Sequence, residues 1–404
     1  MRRNNLRILA ILIVGCLTAS LLLSCSLKKE ESIINAPIVA GLEPVSLKIS
    51  CVGDVMVHKT QIPSQYDSAT GAYDYNNNFQ YVKKYIENSD LSLFNLETTF
   101  GDKPYTGYPT FSAPDELASA LKNAGFTVAI TANNHMLDRG IVGLKRTLDV
   151  LLASGFVTAG SRMEQEQARF AIADVKGIKV GVVAYTYAVS GAQGNLLVNG
   201  SAVSEESASL INYFRYAQID EDLARVKATV DEARNAGAQV VIVYYHWGEE
   251  YQLRANHWQR YMAQQTVDNM DVDMIFASHP HTLQEMAPFT KAGTDKQVPV
   301  FFSMGNFISN QRLETLDNPY SRYTEIGVIA QVDLEYDLEE EKITAIQMSA
   351  IPTWVEKYKS GGKDVYAVIP LDENLDTNEA LSVSGHLSRA KKALEDARGI
   401  LESN

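Results

Sequence analysis

From residue 45 onward, short apolar runs alternate with stretches whose apolar residues recur every three or four positions. Runs at 47–53, 91–97, 127–132, 180–187, 240–246, 274–278 and 298–303 are too short for helices and too continuously apolar for one-sided strands. They predict strands buried on both faces. Helical spacing is carried by Phe79/Val82/Ile86, by Ile141/Leu144/Leu148/Leu151 and by Ile219/Leu223/Val226/Val230/Ala233. Strands separated by helices argue for an α/β architecture with helices covering the sheet. Residues 188–215, rich in Gly, Ser and Asn, break the alternation and read as a loop insertion. Past 311 the pattern changes. Segments 326–336 and 343–351 read as paired strands, and 378–402 as a helix with Leu387, Ala390, Leu394, Ala397 and Leu401 on one face. This part reads as an extension closing the same domain, with a separate small domain as the other reading.

The amino terminus differs from everything after it. Arg2, Arg3 and Arg7 precede an apolar run at 8–23, the arrangement of an export signal and short for a membrane-spanning helix. The run ends in Leu22-Leu23-Ser24-Cys25, which resembles a bacterial lipobox and makes Cys25 the candidate lipidation site. Ile13-Val14-Gly15-Cys16 fits the same pattern after a shorter apolar stretch, and an uncleaved anchor is a further reading. Each of these places the body of the chain outside the cytoplasmic membrane. The expected division is therefore a signal at 1–25, a polar tether at 26–44, the main domain at 45–310 and the extension at 311–404. Of three cysteines only Cys51 lies in the body, so no internal disulfide forms there. Its apolar surroundings predict a buried, inert thiol.

Charge narrows the partners. The 404 residues carry a formal charge of −13, and the three arginines of the leader make the body more negative still. Nucleic acid is excluded as a partner, because its binding needs basic surface to displace counterions. A polyanionic substrate would be held locally, by a metal or a few cationic side chains.

Candidate chemistry sits at the ends of the apolar runs. These end in Gly53-Asp54-Val55-Met56-Val57-His58, in Asn95-Leu96-Glu97, in Ala132-Asn133-Asn134-His135 with Asp138-Arg139-Gly140, in His246-Trp247-Gly248-Glu249-Glu250-Tyr251, in Ser278-His279-Pro280-His281 and in Ser303-Met304-Gly305-Asn306-Phe307. Ligands of open α/β sheets bind outside the carboxyl ends of strands. A mixed set of carboxylate, amide oxygen and imidazole at that edge suits a divalent cation. His279 and His281, two positions apart in an expected extended segment, would face one side.

The series GDVMVH, NLE, ANNHMLDRG, HWGEEY, SHPH and SMGNF resembles the CapA family of poly-γ-glutamate capsule synthesis proteins, over about 45–310. That family is regarded as a branch of the calcineurin-like metallophosphoesterases. The resemblance implies a four-layer α/β/β/α sandwich with a metal site at the strand ends. Position by position it implies Asp54, Glu97, Asn134, His246, His279 and His281 as metal ligands, with Glu97 in the bridging position, and His135 as the catalytic histidine. The superfamily's first motif is Asp-x-His. Here Met56 occupies the histidine position, and His58 stands at the wrong offset to replace it. Asn133 and Ser278 stand where the superfamily has glycines. One or two ions are therefore open, with Mn, Fe and Zn indistinguishable.

The mechanism so implied is metal-assisted hydrolysis of a phosphoester or an amide. His135, oriented by Asp138, would protonate the leaving group. Glu249 is a candidate base or support for the ligands, and Arg139 a candidate contact for an anionic substrate. The process suggested is capsule or poly-γ-glutamate biosynthesis or export by a lipid-anchored extracytoplasmic protein, beside synthetase or exporter subunits. A non-enzymatic scaffold with a reduced metal site is the alternative. A solute-binding lipoprotein would show two lobes, and only one motif-bearing region is present.

Overall fold

The computed structural model describes residues 43–403, so the expected signal, Cys25, Cys16 and nearly all of the tether lie outside the described residues. The main strands are β1 (Val45–Val55), β2 (Leu91–Leu96), β3 (Val128–Ile130), β4 (Val157–Ala159), β5 (Ala171–Val175), β6 (Ile178–Tyr187), β7 (Tyr213–Phe214), β8 (Val240–His246), β9 (Met274–Ser278), β10 (Met286–Thr290), β11 (Gln297–Phe301), β12 (Asn306–Ile308), β13 (Ile326–Asp337), β14 (Lys342–Ser360) and β15 (Lys363–Pro370). The principal helices are α1 (Glu116–Asn123), α2 (Gly140–Ala153), α3 (Ile219–Asn235), α4 (His257–Asn269) and α5 (Leu387–Leu401).

Two mixed sheets result. The first runs β15-β14-β13-β1-β2-β3-β4, with β12 pairing parallel to the end of β1. The second runs β7-β6-β8-β9-β11-β10, with β5 antiparallel to β6. The alternation of each central strand explains how they stack. Leu47, Ile49 and Cys51 of β1 face Val180, Val182, Ile242 and Tyr244 of the second sheet in one buried core. Val52 and Val55 point the other way, onto the helix Asn76–Phe79 and α1. Val183, Val241, Val243 and Ile275 meet α3 and α4 on the far side. The order is thus helix, sheet, sheet, helix, as the family resemblance implied, and α5 seals one edge of the inter-sheet core through Ala390, Ala397 and Leu401. Cys51 is fully buried between the sheets, and burial pushes its thiol up.

Every apolar run predicted to be a strand is one, with ends moved by a few residues. Three other expectations are corrected. The 79–86 helix is two short helices, Asn76–Phe79 and Lys83–Glu87, and the 378–402 helix breaks at Gly385, whose φ of 74 is left-handed. The stretch 188–215 is ordered: Val189–Ser190, Leu196–Val198 and Ser201–Ala202 form a three-stranded meander, followed by the helix Glu205–Leu210. Its strands are too short to show a period. Its Asn199-Gly200 turn, with φ of 49 and 73, is of the kind hairpins favour. Among the described residues no helix is long and apolar enough to cross a membrane.

The parallel strands of both sheets end at one edge, and glycines let the chain crowd there. A Cβ on Gly53 would lie 1.8 Å from the carbonyl oxygen of Gly305, and one on Gly327 would lie 2.3 Å from that of Asn306. Only glycine permits β12 to thread between β1 and β13 at that distance. The Asp54 N–H donates to the Gly305 carbonyl at 3.0 Å.

Candidate metal centre

Asp54 emerges beside a register shift in β1, where the strand pairs with β2 and β12 at once. Glu97 follows β2, Asn133, Asn134 and His135 follow β3, His246 ends β8, and His279 and His281 follow β9. All are buried. Glu97, His279 and His281 each offer one donor atom, all within 4.8 Å of one another, and so do Asp54, Glu97 and His246. Glu97 belongs to both groups. Asn134 Oδ1 lies 2.8 Å from His246 Nε2, which adds an amide oxygen to the same space.

The histidine pair is not in extended backbone. His279 has a φ of 110 and His281 of 57, both left-handed, with Pro280 between them. Such conformations cost of order 1–3 kcal/mol for non-glycine residues and persist where packing enforces them. Both rings reach the centre because the chain turns twice here. Extended geometry is not the reason.

Among the six ligand side chains, two buried polar atoms have no hydrogen-bond partner, Glu97 Oε1 and His279 Nδ1. An unpartnered carboxylate oxygen in a dry site is costly unless a cation meets it. Burial and the neighbouring charge of Asp54 push the Glu97 carboxyl far up. Burial and the surrounding imidazoles push His246 far down, and burial with the His281 charge takes His279 down to about 3. Burial also opposes charge on His281 and Asp54. Their mutual contact at 3.1 Å outweighs it, raising the imidazole and lowering the carboxyl. Two carboxylates among largely neutral imidazoles, with a vacant lone pair on the shared one, is the donor chemistry of a divalent cation site.

Amides not singled out in the sequence hold this set in place. Asn95 donates to Asp54 Oδ1 at 2.8 Å and lies 3.4 Å from both Glu97 Oε2 and His246 Nδ1. Asn306 Oδ1 lies 3.1 Å from His281 Nδ1. The Tyr187 ring sits 4.7 Å from that of His279 and stacks near His246. Asn133 bridges neighbouring strands by donating to Asn95 and the Leu96 carbonyl.

His135 stands beside the ligands with Nδ1 2.8 Å from Asp138 Oδ2, and the Phe111 N–H also donates to that oxygen. The Asn199 amide at the meander's turn lies 3.4 Å from the same ring nitrogen. A cleft of about 390 Å³ opens here, lined by Thr110, Asn134, Asp138, Asn199, Ser201 and Ser207 among others. Arg139 is exposed at the start of α2 and does not line it. Glu249 is exposed and acts on Tyr216, on the outer side. The neighbouring Glu250 is the acid whose charge reaches Glu97, Tyr187, Tyr251 and His281. Glu250 is exposed as well, and the chain turns at Gly248, φ 86, and again at Tyr251, φ 64, so residue order alone did not tell which glutamate's charge reaches the site. Met56 is buried, and His58 lies outside both ligand groups, its Nδ1 accepting the Asn310 N–H at 3.1 Å.

Burial first, and then the charge of His281, lowers His58 to about 4. In the metal-free protein, unfolded imidazoles bind protons near the ordinary 6.5, whereas folded His58 and His279 do so only near 4 and 3. Between these values the unfolded state binds more protons, so stability is full above pH 6.5 and falls as pH drops through the window. The raised His281 acts the other way, and only above 6.5. A loss of about 3 kcal/mol from His58 alone is expected between pH 7 and pH 4. The urea midpoint measured across that range checks it, and a flat profile would contradict the burial of these rings.

The family model for bacterial capsule synthesis protein PGA_cap matches residues 48–311. The capsule biosynthesis protein CapA of Bacillus anthracis is 30% identical over 320 residues, 77% of this chain and 70% of that protein. The PGA biosynthesis protein CapA of Bacillus subtilis is 27% identical over 276 residues, 66% of this chain and 64% of that protein. Among solved structures, a novel phosphatase from Mycoplasma pneumoniae aligns with a TM-score of 0.42 and 13% identity over 76% of this chain and 94% of that chain. The calcineurin-like phosphoesterase YfkN from Bacillus subtilis aligns at 0.41 and 14%, over 88% of this chain and 99% of that chain. At such scores the likeness is loose, and the layer order described above stands on this chain's own strand pairing.

Proposed function

Because this chain belongs to the bacterial capsule synthesis family PGA_cap, we propose that it serves capsule biosynthesis as a metal-dependent hydrolase held outside the cytoplasmic membrane by a lipid on Cys25. The observation that carries the hydrolase reading is Glu97, shared by two buried ligand groups and left with an unpartnered oxygen. Asp54, Glu97, Asn134, His246, His279 and His281 would hold one or two divalent ions. A bound ion supplies Lewis acidity and lowers the pKa of a coordinated water.

The chain's own residues do the rest. Asp138 takes up His135 Nδ1, which leaves Nε2 as the nitrogen that holds or gives up a proton beside the cleft. Asn95 and Asn306 fix the ligand carboxylate and imidazole, and Tyr187 walls the ring pair from one side. β1 runs from Val45, where the chain enters, to Val55 at the centre. Met56 favours a second reading, a scaffold with a reduced metal site. The test is hydrolysis of phosphoesters and γ-glutamyl amides by Mn- or Zn-loaded protein. Turnover at least about a hundredfold lower in His135→Ala, at unchanged metal content, is expected. Metal-loaded protein that cleaves neither class would leave the scaffold reading in its place.

A further inference from the structure

Away from the metal centre, guanidinium groups gather at the edge of the second sheet in a chain whose overall charge is −13. Arg162, after β4, is buried at 5% exposure. Its Nη1 donates to Asn212 Oδ1 at 2.9 Å and its Nη2 to the Ser209 carbonyl, while its Nε has no partner. Arg169 donates to the same Asn212 oxygen and to the Ile211 carbonyl, both at 3.2 Å. Neither guanidinium has a carboxylate within ion-pair distance among the described residues, although both are packed against neutral acceptors. Burial, and then the Arg169 charge, lowers Arg162 to about 10. Arg225 completes the group. It pairs with buried Asp222, which Arg215 also holds, and lies over the Tyr213 ring.

These charges surround a hydroxyl. Arg169, Arg162 and Arg225 all act on Tyr185, whose Oη lies 2.8 Å from Thr229 Oγ1. A cleft of about 260 Å³ opens over that pair, walled by Arg169, Tyr185, Tyr213, Arg225 and Thr229, with Glu232 its one carboxylate. Two guanidiniums without a carboxylate partner, Arg162 and Arg169, beside hydroxyl donors and a cleft of this size, are what oxyanion recognition requires. By contrast, no Lys or Arg lines the cleft at the metal centre.

We propose that this cleft is a second binding site, for a carboxylate- or phosphate-bearing anion, with Arg169 as its principal contact and Arg162 as the buried charge behind it. The site does not depend on the metal centre, and it gives an acidic protein a local means of holding an anionic chain or group.

The test is calorimetric titration of the full-length protein at low ionic strength with two probes, inorganic phosphate and hexaglutamate. Saturable binding of either is expected, weakened at least about tenfold in Arg169→Gln, roughly 1.4 kcal/mol, and further in Arg169→Glu, with unchanged circular dichroism. Arg169 is exposed, so neither variant disturbs the core. His281→Ala, which alters the metal centre, is expected to leave the affinity unchanged, and this separates the site from phosphate bound to a metal. Preference for hexaglutamate identifies a carboxylate chain and preference for phosphate a phosphate group. Absence of saturable binding to both probes overturns the proposal, as does binding that survives Arg169→Glu or disappears with His281→Ala.

Discussion

Glu97→Gln is expected to empty the metal centre. Purified without chelators, the full protein should carry Mn, Fe or Zn by elemental analysis, and the variant at least about tenfold less. The reason is placement. Glu97 is the one carboxylate common to both ligand groups, and the amide that replaces it removes the charge that burial makes expensive without a cation. His279→Ala with His281→Ala removes two donors from one group and leaves Asp54, Glu97 and His246, so it should retain more metal than Glu97→Gln. The stoichiometry of the unaltered protein carries its own message. One ion per chain would mean that Met56 has cost the site a position, and two would mean that other donors make up for it. Stoichiometric metal in Glu97→Gln would sink the shared-ligand reading.

Glu325→Ala is expected to produce the largest loss of stability, about 3–5 kcal/mol, read from the urea midpoint. Glu325 is buried where the C-terminal helix meets the sheet. Its oxygens receive Arg389 Nη2 at 2.9 Å, Arg312 Nη2 at 3.2 Å and the Trp354 Nε1–H at 3.0 Å. Arg312 is itself only 2% exposed, so alanine would leave its buried guanidinium with Glu314 and the Val355 carbonyl alone and would strand the buried Trp354 N–H. Glu325→Gln, which keeps acceptor and shape but not charge, should fall between. A loss under about 1 kcal/mol in the alanine variant would mean that water enters and replaces the carboxylate.

How much of this was legible beforehand depended on distance along the chain. The central strands announced themselves, because burial on both faces writes a continuous apolar run. The strand-end residues could be gathered because each follows such a run, and the structure brings Asp54, Glu97, Asn134, His246, His279 and His281 into one buried space. Asn95 was within reach. It stands near the end of β2, two positions before Glu97, in the same apolar run whose end supplied the candidate. Glu250 was not, because the left-handed turn at Gly248 comes between it and His246. Nor did periodicity reveal that the C-terminal strands lie beside the first one, or that Arg162, Arg169 and Arg225 converge. Pairing between segments that far apart leaves no local trace.

The placement of β13 against β1 sets when the protein can become itself. Ser46 meets Glu335 across 289 positions, and Asp54 meets His281 across 227. Synthesis at about 5–20 residues per second separates the two strands' completion by roughly 15–60 s, whichever side of the membrane they pair on. During that interval an apolar strand has an open edge, the condition most prone to wrong pairing. The residues matched by the family model end at 311, before β13 begins, so a polypeptide cut there would keep every strand-end motif and still lack half of the first strand's partners. The ladder of the first strand is therefore completed only once the chain has reached β13.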